Sequence, residues 1–143
     1  MKISQKGIDL IKQFESFGEK QYRCSAGKLT IGYGHVVLAS DKFPPLITKL
    51  EAEEILRKDL EGFEKSLNQL IKVSLTQNQF DALMSLIFNI GATNFGKSTL
   101  LKFLNSRFFN KIPNEIRRWC KIKGVVSNAL KNRREDEIKV WLA

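Results

Sequence analysis

The stretch Glu15–His35, ESFGEKQYRCSAGKLTIGYGH, decides how the rest of the chain is read. It holds one carboxylate just ahead of a glycine, a Tyr and a Cys, a Ser-Ala-Gly-Lys turn, and a β-rich run closing on Gly-Tyr-Gly-His. Alternate side chains of a strand share one face. A helix end followed by a hairpin over this stretch would therefore turn Glu15, Cys24 and Thr30 toward one site. Ser25-Ala26-Gly27-Lys28 reads as the hairpin turn, with strands over Tyr22–Cys24 and Leu29–Tyr33. Gly32 and Gly34 alternate with Tyr33 and His35, a pattern that lets backbone approach a neighbouring group closely.

Upstream, Ser4 is placed to cap a helix whose Ile8, Ile11 and Phe14 recur at helical spacing, with Gly7 as its weak point and Gly18 as its stop. Glu15 then falls in the last helical turn, where the helix dipole favours the protonated carboxyl. Downstream, residues 36–47 contain Pro44-Pro45 and read as loop or one poor strand. Thr48 and Glu51 form a capping box that opens the longest helical pattern, with Leu56, Leu60, Phe63, Leu67 and Leu70 on one face. Such a helix is roughly 30 Å long. Thr76 and Gln79 open a second box, and Phe80–Phe88 is apolar on nearly every side, the mark of a central buried helix. Asn89-Ile90-Gly91 ends it. Ser98 or Thr99 starts a further helix, Pro113 fits a first turn of another that Gly124 breaks, and residues 128–142 close the chain as a helix.

The predicted fold is α+β within a single domain over residues 1–143. A hairpin-containing lobe occupies about residues 13–50, a connecting helix about 49–72, and a larger helical lobe residues 73–143 with 1–12. Twenty-four basic against 15 acidic side chains give a charge of +9, which draws the chain toward polyanions without saying which. Residues 97–143 hold 12 Lys or Arg and 4 Asp or Glu, whereas residues 1–60 hold 10 and 8. The basic surface thus belongs to the C-terminal lobe. Two cysteines make no disulfide framework, and one histidine without a Cys-x-x-Cys cluster makes no metal site. No apolar run reaches the ~18 residues that span a bilayer, and the first residues are amphipathic rather than signal-like. We expect a cytoplasmic protein, without metal or cofactor, and a monomer.

Glu15, YRCSAGKLTIGYGH, ITKLEAEEILRKDL, LTQNQFDALMSLIFNIG, STLLKFLN and NRREDE together resemble phage-type lysozymes, the endolysins of glycoside hydrolase family 24, over nearly the whole chain. The glycine-rich hairpin run is the most specific of these pieces. The resemblance implies a lysozyme-like fold and hydrolysis of the bond between N-acetylmuramic acid and N-acetylglucosamine in peptidoglycan. It implies that Glu15 is the acid and that Thr30 holds the attacking water. The family's aspartate position is occupied by Cys24, so three readings stand: a thiolate replaces the carboxylate, a passive residue sits in a slower enzyme, or activity has been lost and a peptidoglycan-binding protein remains. Inversion at the anomeric carbon is expected from a single attack by held water.

The same resemblance puts Arg133 beside Glu15 and pairs His35 with Asp59. Tyr22, Gly34, Phe95, Ser98 and Asn105 are expected to contact substrate, and Asn89 and Gly91 to fix the end of the buried helix. It further implies release from the host cytoplasm through a holin pore to reach the wall. The rival from another class, a basic nucleic-acid-binding module around Arg117-Arg118 and Arg133-Arg134, lacks a recognition element. No nucleic-acid partner and no integral membrane segment are expected.

Overall fold

Helix α1 (Gln5–Phe14) is followed by strand β1 (Phe17–Arg23), β2 (Leu29–Tyr33) and β3 (His35–Val36), which form an antiparallel sheet in the order β1-β2-β3. Helix α2 (Lys49–Leu70) comes next, then α3 (Gln77–Ile90), α4 (Ala92–Gly96), α5 (Thr99–Asn105), a 3₁₀ turn at Phe109–Lys111, α6 (Ile112–Arg117), the two-residue strands β4 (Lys121–Ile122) and β5 (Val125–Val126), and α7 (Asn128–Leu142). The computed structural model describes residues 1–143. They form two units, residues 11–62 and residues 1–10 with 63–143. The architecture is the α+β one expected: a small lobe with a β-sheet, a long helix, and a larger helical lobe.

In the unit of residues 11–62, the sheet packs on α2 at a place where only glycine fits. Gly32 has φ +65°, and a Cβ there would lie 3.3 Å from the Cβ of Ala52. Ile11, Ile31, Ile47, Leu56 and Leu60 are all buried, and Lys12 bonds Glu53 at 2.9 Å. Strand β1 starts at Phe17, ahead of the expected Tyr22, and its register with β2 slips between Gly18 and Tyr22. Gly18 is consequently no helix stop. It lies in β1, where a Cβ would meet the Tyr22 ring at 2.6 Å, so its small size makes room for that ring. Helix α1 ends at Phe14, one residue short of Glu15, although the Glu15 N–H still donates to the Ile11 carbonyl at 3.2 Å.

In the other unit, α3 is the central helix, with every residue from Phe80 to Ile87 buried. Both capping boxes are formed: Thr48 with Glu51, and Thr76 with Gln79. The Ser98 hydroxyl accepts from the Leu101 N–H and caps α5. Asp81 and Ser85, polar yet fully buried on α3, have distinct partners. Asp81 accepts from the Ser4 N–H at 3.0 Å and from the Ser4 hydroxyl, which anchors the start of α1. Ser85 donates to Glu137 of α7 at 2.6 Å. Glu137 also meets Arg133 at 3.3 Å and Arg134 at 3.1 Å, and Arg134 donates to Asn89. Burial takes the Arg134 guanidinium down to about 10 despite the opposing pull of Glu137. Burial likewise pushes Glu137 up, against the two guanidiniums and the Ser85 hydroxyl.

Gly124 does not break the Pro113 helix, since α6 already ends at Arg117. With Lys123 it forms the tight turn of a β4–β5 hairpin, both residues having positive φ (49° and 79°). That hairpin and α4 went unpredicted. No helix is long and apolar enough to cross a membrane.

Candidate active site

Glu15, Tyr22, Cys24, Thr30, Gly34, His35 and Asp59 all lie in the unit of residues 11–62. Glu15 and Gly34 meet directly. Gly34 has φ +79°, a conformation that L side chains rarely adopt, and a Cβ added there would sit 2.8 Å from Glu15 Oε2. The second glycine of the Gly-Tyr-Gly-His run therefore lets backbone lie against the carboxylate. The Glu15 backbone is set in turn by the closing hydrogen bond of α1 to Ile11.

Cys24 and Thr30 form a second pair at the turn end of the hairpin. The Cys24 N–H donates to the Lys28 carbonyl at 3.0 Å, and the Gly27 N–H donates to the Cys24 carbonyl at 2.8 Å. Gly27 meets the turn with φ +77°. The Arg23 guanidinium donates to the Gly27 carbonyl at 2.9 Å, which holds the turn from its outer side. The Cys24 thiol is lowered from its ordinary pKa, first by the Lys28 N–H, then by the Ala26 N–H, and then by the Thr30 hydroxyl, with burial opposing them. Donors aimed at sulfur favour the ionised form. Thr30 itself is buried, and its hydroxyl donates to the Lys28 carbonyl at 2.9 Å. Tyr22 stands opposite Thr30 in the β1–β2 register and is 37% exposed, so its ring remains accessible.

His35 bridges two carboxylates. Its Nδ1 lies 2.8 Å from Asp59 of α2 and its Nε2 lies 2.9 Å from Asp41 in the loop before α2. Burial alone would lower this histidine, but the hydrogen bonds and charges of Asp41 and Asp59 raise it overall. Asp41 is lowered, chiefly by His35 and then by the Leu38 N–H, which donates to it at 2.7 Å. Asp41 belongs to no motif that marks it in the sequence. The available signal was that it is the sole acid in residues 36–47.

The remaining candidates belong to the other unit. The Arg133 guanidinium donates to the Ser85 carbonyl at 3.1 Å and to Glu137 at 3.3 Å. Phe95 is buried, and the Ser98 hydroxyl donates to its carbonyl at 2.6 Å. Asn105 donates to the Leu70 carbonyl and accepts from the Lys72 N–H, so its amide closes the end of α2. Asn89, Ile90, Asn94, Trp119, Lys121, Ile122 and Leu130 line a groove of about 370 Å³. No group of three or more His, Cys, Asp or Glu side chains is arranged to hold a metal ion.

A family model described as phage lysozyme matches residues 12–137, a span that includes every residue of the two pairs above. The chain belongs to the phage lysozyme family. It is 46% identical over 123 residues to the endolysin of Acyrthosiphon pisum secondary endosymbiont phage 1, a match covering 86% of this chain and 83% of that protein. It is 43% identical to the endolysin of Bacillus phage B103, covering 99% of this chain but 54% of that longer protein. It therefore spans about half the length of that relative. Among solved structures, the endolysin from Escherichia coli O157:H7 phage FAHEc1 superimposes with a TM-score of 0.90 at 40% identity, covering 99% of this chain and 94% of that one.

Proposed function

We propose that this chain is a glycoside hydrolase of the lysozyme (muramidase) type. In this reading it cleaves the β-1,4 bond between N-acetylmuramic acid and N-acetylglucosamine in bacterial peptidoglycan. The observation that supports this reading is the Cys24–Thr30 pair, where hydrogen bonds from Lys28, Ala26 and Thr30 lower the thiol and so favour its ionised form. A glycosidic oxygen is a poor leaving group and needs a proton as the bond breaks. Glu15 gives its proton to that oxygen, which takes the electron pair of the breaking C1–O bond. Thr30 holds a water on the opposite face. The Cys24 thiolate faces the developing oxocarbenium charge and accepts the water proton as the new C1–O bond forms, with inversion. The cycle ends with Glu15 ionised and Cys24 neutral, and one proton returned from thiol to carboxylate through solvent resets both. A hydroxyl has one hydrogen to donate, so Thr30 turns it to the thiolate or to the Lys28 carbonyl according to the charge on Cys24.

The chain needs no cofactor, works as a monomer, and is released from the host cytoplasm through a holin pore to reach the wall. Three measurements test the chemistry. Cys24→Ser lowers peptidoglycan hydrolysis at least about tenfold, whereas Cys24→Asp retains it. The pH optimum of the Asp variant moves to lower pH, because its ascending limb follows a carboxylate near 3.9 in place of a thiol. The first product seen by NMR is the α-anomer. An undiminished rate in the Ser variant rejects the thiolate, and a β-anomer rejects inversion.

A further inference from the structure

The β4–β5 hairpin has no part in the chemistry above, yet it is unusual. All six residues from Lys121 to Val126 are exposed, and three of them are aliphatic: Ile122 at 57%, Val125 at 70% and Val126 at 51%. Ile122 pairs with Val125 and Lys121 with Val126, so each face of the ribbon carries aliphatic side chains into solvent. The ribbon is held firmly at its base, where the Ser127 N–H donates to the Cys120 carbonyl at 2.8 Å and the Ser127 hydroxyl caps α7. Its tip is cationic. Lys123 occupies the left-handed region at φ +49°, a position where Asn or Gly is ordinary. Residues 116–134 contain seven Lys or Arg and no Asp or Glu. Arg117 and Arg118 are paired with Glu135 and Glu115, whereas neither Lys121 nor Lys123 has a carboxylate partner.

We propose that this hairpin docks the protein onto an anionic phospholipid bilayer, the aliphatic side chains entering the headgroup boundary and the two lysines meeting lipid phosphates. Contiguous exposed apolar surface marks an interaction site, and the residue types choose among partners. Protein interfaces favour aromatic residues, Met and Arg and are depleted in Lys, and this ribbon has none of the former and two of the latter. Aliphatic groups flanked by lysine match a surface with an apolar interior and a negative face. Lys121 on the first short strand also discourages pairing of the ribbon edge with another chain.

The test is co-sedimentation with vesicles of phosphatidylcholine alone or mixed with phosphatidylglycerol, at low and high salt. The chain is expected to bind the mixed vesicles, to ignore the neutral ones, and to be released by salt. Lys123→Glu, and separately the double change Val125→Ser with Val126→Ser, each lowers the partition coefficient about tenfold or more, with melting temperature and hydrolysis of soluble peptidoglycan fragments unchanged. None of these three residues lines the groove at Trp119. Glu15→Gln binds vesicles as the parent chain does, which separates this docking from the hydrolytic reading. Absence of vesicle binding overturns the proposal, and so does equal binding by all variants, which would make it a property of the general positive charge. Loss of fragment hydrolysis in the hairpin variants would instead make the ribbon part of the glycan site, and concentration-dependent dimerisation that these variants abolish would make it a contact between copies. Should the double variant melt early, Lys123→Gln, which keeps the aliphatics, is expected to give an intermediate loss of binding; full binding there also overturns it.

Discussion

Gly34 is the residue at which backbone conformation and acid chemistry meet. Its positive φ, and the 2.8 Å at which an added Cβ would meet Glu15 Oε2, leave no room for a methyl group. Gly34→Ala is therefore expected to move the carboxylate or twist β3, and displacement of a reacting group by about 1 Å can cost on the order of 10²-fold in rate. Hydrolysis of purified peptidoglycan checks this, and an undiminished rate would show that the close approach is incidental. His35 carries a second, pH-dependent expectation. Its folded pKa is raised above the ordinary 6.5, so the stability it contributes is full below that value and fades as pH rises through the folded one. Asp41 is lowered from 3.8, so its contribution is present above that value and fades as pH falls through the folded one. The bridge is strongest between these limits. Asp41→Asn is expected to lower the His35 pKa read by NMR, and to reduce the melting temperature at about pH 5.5 more than at about pH 9. An unmoved His35 pKa would remove Asp41 from the account.

At the level of elements, the sequence is most legible where structure is set by residues three or four apart. The boxes at Thr48–Glu51 and Thr76–Gln79, the Ser98 cap and the Pro113 start are local chemistry, and each is present. Glycines were read less well because their reasons are distant in sequence. Gly7 looks like a defect in α1, since a glycine in a helix costs about 0.5–1 kcal/mol relative to alanine. A Cβ there would fall 2.5 Å from Ile3 Cγ1 and 2.8 Å from Asp81 Cγ, the carboxylate that anchors Ser4. Gly7→Ala is accordingly expected to destabilise by about 1–3 kcal/mol through overpacking. Chemical denaturation measures it, and a gain in stability would restore the simple propensity reading. The β4–β5 hairpin escaped for a related reason. Its strands are two residues long, and Lys-Gly is a weaker turn signal than Asn-Gly.

Taken as one molecule, the chain joins a legible scaffold to a site that only partner residues far apart in sequence complete. The apolar stripe of α2 and the buried run of α3 were enough to place the helical scaffold, because burial at Leu56, Leu60 and Leu67 and from Phe80 to Ile87 follows the hydrophobic pattern. The buried charge network of Arg133, Arg134 and Glu137 was not foreseeable from periodicity, since the Ser85 and Asn89 that meet it lie on α3, far off in sequence. The most direct test of the central claim, that Glu15 delivers the proton to the bridging sugar oxygen, compares the parent chain with Glu15→Gln on purified peptidoglycan. The account predicts release of new reducing ends by the parent and a loss of at least about 10²-fold in the variant, with the same melting temperature. Equal release by the two would contradict it.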